Sequence, residues 1–169
     1  MPLCNILNHH NFCFSKAIAL HQILVKSGSI NLITLYILAE HAQMKDITPR
    51  INMVKQQLRT NNILCEKILA LYDQIPRDAF VPEASKHVAY SDTHLPLAHD
   101  ECMMTPLEEA TILQALNLQG HEKVLEVGTG TGFLTALLSH MSQHVISVDY
   151  HEKFTQSAQK NLKNHGKEN

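Results

Sequence analysis

Apolar residues recur at helical spacing in several stretches of the chain. Val54 and Leu58 lie four residues apart within Met53–Arg59, which predicts a short helix there. Asn61 and Asn62 interrupt it and offer a cap for a second helix, whose apolar face is Ile68, Leu69 and Tyr72 and whose end falls near Ile75. Pro76 and Pro82 bracket Arg77–Val81, which reads as a short extended piece, and residues 84–103, with Pro96 among them, read as irregular. Thr105-Pro106-Leu107-Glu108 is a helix start: Thr105 caps, Pro106 takes the first helical position, and Glu108 completes a capping box. That helix is predicted to run to about Leu118, before Gln119-Gly120. A strand over Lys123–Val127 follows, then a glycine loop and a helix over Thr131–Met141, with Phe133, Leu134, Leu137 and Leu138 on one face. A strand over His144–Val148 and a helix over Phe154–Asn164 complete the pattern. Strand, helix, strand, helix with short connections implies a parallel, right-handed crossover unit.

Composition adds mostly exclusions. Fourteen Lys and Arg face sixteen Asp and Glu, for a net charge of −2. That balance argues against a dedicated nucleic-acid binder or a polybasic membrane protein, both of which need concentrated positive charge. The charges are unevenly spread: residues 1–44 hold only Lys16, Lys26 and Glu40. The apolar run Ile30–Ala39 in that stretch is about half the length of a membrane-crossing helix. His9, His10 and Asn11 precede the first positive charge, which fits a signal peptide poorly. Residues 1–50 therefore read as an extension of unknown role. Cysteines 4, 13, 65 and 102 form no CxxC pair and show no metal-ligand spacing, so no metal is expected, and free thiols in a reducing cytoplasm are the simplest reading.

The chemistry concentrates in the glycine loop. Val124-Leu125-Glu126-Val127-Gly128-Thr129-Gly130-Thr131-Gly132 closes a strand and opens a helix, and its glycines allow a sharp turn with backbone N–H groups close to a ligand. Asp149 ends the next strand, 21 residues after Gly128, where an acid can accept from ribose hydroxyls. A dinucleotide fingerprint wants its third small residue where Phe133 stands, which weakens an NAD reading. No Lys-Ser/Thr pair follows the loop, which excludes a P-loop.

GxGxG with Glu126 two residues before the first glycine and Asp149 at the end of the next strand resembles motif I of Rossmann-type S-adenosylmethionine methyltransferases. Upstream, Met53–Arg59, then Ile75-Pro76-Arg77-Asp78-Ala79-Phe80-Val81-Pro82, then Ala89-Tyr90-Ser91-Asp92 and Leu95-Pro96 are similar to the leading half of protein-L-isoaspartate O-methyltransferases. The resemblance covers roughly residues 52–166. It implies an α/β, Rossmann-like class I methyltransferase fold, preceded by a mostly helical segment. Three parts are expected: the extension 1–50, a helical and irregular segment 51–103, and the start of the cofactor-binding domain, 104–169, with only its first two βα units.

The resemblance further implies S-adenosyl-L-methionine as cofactor, with Glu126, Gly128, Thr129, Gly130, Thr131, Gly132, Asp149 and Tyr150 around it. The implied substrates are proteins or peptides carrying isoaspartyl residues, whose carboxylate accepts the methyl group. No nucleic acid or membrane partner is implied, and the oligomeric state is left open. An isoaspartyl carboxylate is already ionised at neutral pH, so no general base is required, and alignment with desolvation of the nucleophile carries the rate. The family carries a Thr-Ile-Ser-x-Pro segment; aligned on Pro106, Met104 takes the serine's place and Thr105 is the nearest hydroxyl, more simply read as the helix cap. Three functions stay open: an isoaspartyl carboxyl methyltransferase, a methyltransferase with another acceptor, and a non-catalytic remnant or assembly module of a longer protein.

Overall fold

The computed structural model describes residues 48–166; the run Ile30–Ala39, Cys4 and Cys13 lie outside them. From Pro49 onward the described residues form one compact unit. Its first feature is a continuous helical run that changes pitch, α-helical over 48–52, π-helical over Met53–Leu58 and 3-10 over Arg59–Asn61. The wider coil brings residues five apart onto one face, and Met53 and Leu58 are both fully buried there. Asn62, in the left-handed conformation at φ 64°, ends the run.

Helix α1 (Glu66–Gln74) begins later than an Asn61-Asn62 cap would place it. The Asn61 side chain instead donates back to the Gln57 carbonyl at 2.8 Å, and Gln114 serves the intervening loop: its Oε1 accepts from Leu64 N–H (2.9 Å) and its Nε2 donates to the Asn62 carbonyl (2.9 Å). The piece expected to be extended is a 3-10 turn, Arg77–Ala79, closed by Phe80 N–H to the Arg77 carbonyl at 2.9 Å. Side chains three apart eclipse in such a turn, so Arg77 and Phe80 both point into the core. Residues 84–103 are also more regular than expected. A 3-10 turn spans Glu83–Val88, and strands β1 (Leu95–Pro96) and β2 (Cys102–Met103) pair antiparallel, with Leu95 opposite Met103. Pro96 is tolerated because this two-stranded ribbon is all edge.

Helix α2 (Pro106–Leu116) starts where predicted. The Thr105 hydroxyl accepts from Glu108 N–H at 3.2 Å, and the Glu108 carboxylate accepts from Thr105 N–H at 2.9 Å. Its end comes two residues early, at left-handed Asn117. Strands β3 (Lys123–Val127) and β4 (His144–Val148) pair in parallel, Lys123 opposite His144 through Val127 opposite Val148, joined through α3 (Phe133–Met141). Helix α4 (Glu152–Asn164) follows. Alternation splits the sheet residues. Val124, Glu126, Val145 and Ser147 are covered, whereas Leu125 (65% exposed), Val127 (79%), Ile146 and Val148 face outward. The core gathers Leu58, Ile68, Tyr72, Phe80, Leu113, Phe133 and Leu137, with Phe133 edge-on to both Tyr72 (5.9 Å) and Phe80 (5.4 Å).

Candidate active site

The glycine loop sits on the carboxyl ends of β3 and β4. Its N–H groups are committed internally: Gly128 and Thr129 donate to the Val148 carbonyl (2.8 and 3.2 Å), Gly130 to Asp149 Oδ2 (2.9 Å), and Gly132 to the Thr129 carbonyl (2.9 Å). The expected cradle of outward N–H groups is therefore not what these four residues form; they brace the loop against the second strand instead. Gly128 takes φ 99°, and none of the described residues comes within 4 Å of where a side chain would begin. Gly132 takes φ 85°, and a Cβ there would stand 2.9 Å from that of Ala158 in α4.

Acidic groups flank the loop on both sides. Ser147 and Thr135 each donate a hydroxyl to Glu126 Oε2 at 2.5 Å, and Thr129, 2.7 Å from Ser147 Oγ, donates to it in turn. Oε1 of Glu126 is buried and has no hydrogen-bond partner among the described residues. Burial pushes this carboxyl above the usual carboxylate range, and the two hydroxyls only partly offset that. Asp149 accepts from Gly130 N–H through Oδ2 and from His151 N–H (2.8 Å) through Oδ1, which fixes its orientation at the end of β4. Tyr150 is 95% exposed, with its ring edge-on to His151 at 5.1 Å.

A wall that sequence reasoning missed stands over the loop. Leu97 Cδ1 lies 3.8 Å from where a Gly130 side chain would begin, and the Thr131 hydroxyl lies 3.7 Å from the Met103 sulfur. At the tip of the β1–β2 connection His99, left-handed at φ 61°, stacks on His151 at 4.1 Å, and both meet Phe154 edge-on. No periodic signal marks these contacts. Ser147 was accessible to inference, since parallel pairing places it opposite Glu126 on the covered face.

Next to this wall, Met103 is buried and Met104 half-buried, and the Thr105 hydroxyl is occupied as the α2 cap. Cys102 is exposed because the two-residue strand β2 turns it outward. Beneath the segment, Arg77 donates from Nη1 to Glu109 Oε2 and from Nη2 to the Met104 carbonyl (2.5 Å), and its guanidinium lies 5.0 Å from the Phe133 ring centroid. Both partners of the pair are almost fully buried. Burial pushes the Glu109 carboxyl up to about 8, while Arg77 pulls it the other way. Among the described residues no cluster of three or more His, Cys, Asp or Glu is arranged to hold a metal ion, and no helix is long and apolar enough to cross a membrane.

Residues 50–169 match the family model described as protein-L-isoaspartate(D-aspartate) O-methyltransferase. A protein-L-isoaspartate O-methyltransferase of Pectobacterium atrosepticum is 38% identical over 117 residues, which is 69% of this chain and 56% of that protein. One from Herpetosiphon aurantiacus is also 38% identical, with 52% of its length covered, and one from Syntrophus aciditrophicus is 41% identical over 100 residues. The chain thus spans about half the length of the curated relatives it matches. Two solved structures share the fold. A protein-L-isoaspartate O-methyltransferase superposes with TM-score 0.59 at 24% identity, over 69% of this chain and 39% of its own. A Plasmodium falciparum structure assigned to the same enzyme, in complex with S-adenosyl-L-homocysteine, gives 0.57 at 20%, over 67% and 54%. The parallel pair with helices α3 and α4 accordingly has a Rossmann-like class I methyltransferase fold, and the chain belongs to the protein-L-isoaspartate(D-aspartate) O-methyltransferase family.

Proposed function

We propose that the protein acts in S-adenosylmethionine-dependent methyl transfer to the carboxylate of isoaspartyl residues, with residues 104–169 supplying the cofactor side and residues 51–103 the wall around it. The observation that carries this reading is the pair of acids braced on either side of one glycine loop, Glu126 and Asp149, within a chain of this family. The residues suit such a cofactor. The buried, unpartnered Glu126 Oε1 fits an ammonium group at the amino-acid end, and Asp149, held by two backbone donors, retains lone pairs for ribose hydroxyls. The inward commitment of the loop N–H groups fits a ligand without phosphates better than a dinucleotide.

When bound, the cofactor supplies an electrophilic methyl group on a sulfonium. The chain's own task is placement and exclusion of water: Gly128 leaves open space at the loop, Leu97 and Met103 provide apolar walls, and the hydroxyl chain from Thr129 through Ser147 holds Glu126. The acceptor carboxylate is ionised at neutral pH, and no side chain need remove a proton. Free thiols at Cys65 and Cys102 suit a reducing, cytoplasmic setting. Met104 favours a second reading, methyl transfer to a different acceptor, because a thioether offers no hydroxyl where the family resemblance places one.

Calorimetric titration with S-adenosylhomocysteine, together with transfer of labelled methyl to an isoaspartyl peptide and to its aspartyl counterpart, tests the proposal. Saturable binding with label entering only the isoaspartyl peptide is expected. Binding with label entering neither would overturn isoaspartyl transfer and leave a cofactor-binding module.

A further inference from the structure

The Arg77–Glu109 pair lies outside the cofactor loop, yet it joins the elements on both sides of it. One guanidinium fork engages α2 through Glu109, the segment ahead of α2 through the Met104 carbonyl, and the start of α3 through the Phe133 ring. Phe133 directly follows Gly132, and Met103 touches Thr131 from the other direction. Arg77 therefore spans the gap between residues 102–105 and the glycine loop. A fully buried ion pair is a weak stabiliser, since apolar side chains of similar volume often hold a core as well or better. What the pair offers here is direction: a planar fork with fixed donor angles, which neither an ammonium nor an alkyl chain reproduces.

We propose that Arg77 is a positioning residue that sets the distance of the Met103–Thr105 segment from the glycine loop and thereby seats the methyl acceptor. The proposal rests on the methyl-transfer reading above. The pair reaches the reaction indirectly, through the Met104 carbonyl on one side and the Phe133 ring on the other. Its loss is felt in the transfer step, while the glycine loop, braced separately by Val148 and Asp149, keeps its affinity for the cofactor.

The test compares wild type with Arg77→Lys and with Arg77→Met/Glu109→Leu, which replaces the pair by apolar side chains and guards against a failure to fold. Labelled methyl transfer to an isoaspartyl peptide, S-adenosylhomocysteine affinity, melting temperature and backbone hydrogen exchange are measured on each. Both variants are expected to lose about tenfold or more in kcat, with cofactor affinity within about twofold and faster exchange at Met103–Leu107. Unchanged kcat and exchange, or parallel loss of kcat, affinity and melting temperature, overturns the proposal. If wild type transfers no methyl group, the functional reading falls, and exchange decides the positioning claim: faster exchange at Met103–Leu107 with retained affinity upholds it, and unchanged exchange overturns it.

Discussion

Glu126 and Ser147 face each other across the parallel pair as register partners, and the Ser147 hydroxyl donates to Glu126 Oε2 at 2.5 Å. The bond ties the acid before the glycine loop to the strand that carries Asp149. It leaves the second oxygen of Glu126 buried and without a partner among the described residues.

A pH dependence of ligand binding follows. Burial raises the Glu126 carboxyl, so it takes up its proton at a higher pH than an ordinary carboxylate as solution is acidified. Binding of a cationic amino-acid end is expected to weaken as pH falls from 8 toward about 5. Glu126→Gln is expected to bind more weakly at pH 8, by roughly 1.5–3 kcal/mol, and to show little further pH dependence. The stability term has the opposite sign. A carboxyl raised in the folded state favours folding at low pH, and that contribution is lost as pH rises through its folded value. Calorimetry and thermal melts over the same pH range separate the two.

The buried pair is expected to be strongly non-additive. Arg77→Met alone leaves Glu109 in the core without its partner, at a cost of about 3–5 kcal/mol. Arg77→Met/Glu109→Leu is expected to recover most of that loss, within about 2 kcal/mol of wild type. Urea unfolding of the two singles and the double gives the coupling energy.

Two glycines in the same loop are expected to respond differently. Gly132→Ala meets both a left-handed backbone and a Cβ–Cβ approach of 2.9 Å to Ala158, a combined cost of about 2–4 kcal/mol. Gly128→Ala meets the backbone term alone, about 1–2 kcal/mol, but places a methyl in the open space beside the loop. Denaturant midpoints are expected to rank Gly132→Ala as the less stable variant. S-adenosylhomocysteine affinity at a temperature where both are folded is expected to fall more in Gly128→Ala.

The outward face of the sheet, with Leu125, Val127, Ile146 and Val148 exposed together, is expected to bind an apolar fluorescent dye in the native state. Val127→Lys is expected to reduce that signal while leaving the melting temperature within a few degrees, because Val127 makes little of the core. Unchanged dye binding in the variant would place the apolar surface elsewhere.

The parts legible in sequence are those where local chemistry is decisive. Lys123–Val127 and His144–Val148 were read with their observed bounds, because short runs rich in β-branched and apolar residues lie between clear breakers. The start of α2 was readable because Thr105, Pro106 and Glu108 make a cap on their own. Arg77–Val81 was misread as extended: bracketing prolines are compatible with a strand end or a tight turn, and core packing of Arg77 and Phe80 selects the turn. Asn61 was misassigned as a cap for the next helix because its side chain serves the preceding one.

By itself the sequence determined the βα rhythm, the glycine loop and the two acids that flank it, since turn conformation, capping and alternation depend on residues a few positions apart. Only the tertiary structure decided where the loop N–H groups point, which sheet face is covered, and which residues meet across long separations. Arg77 finds Glu109 at 32 residues' distance, and His99 finds His151 at 52. Those pairings follow from how helices and strands pack in three dimensions, and no local preference in the chain encodes them.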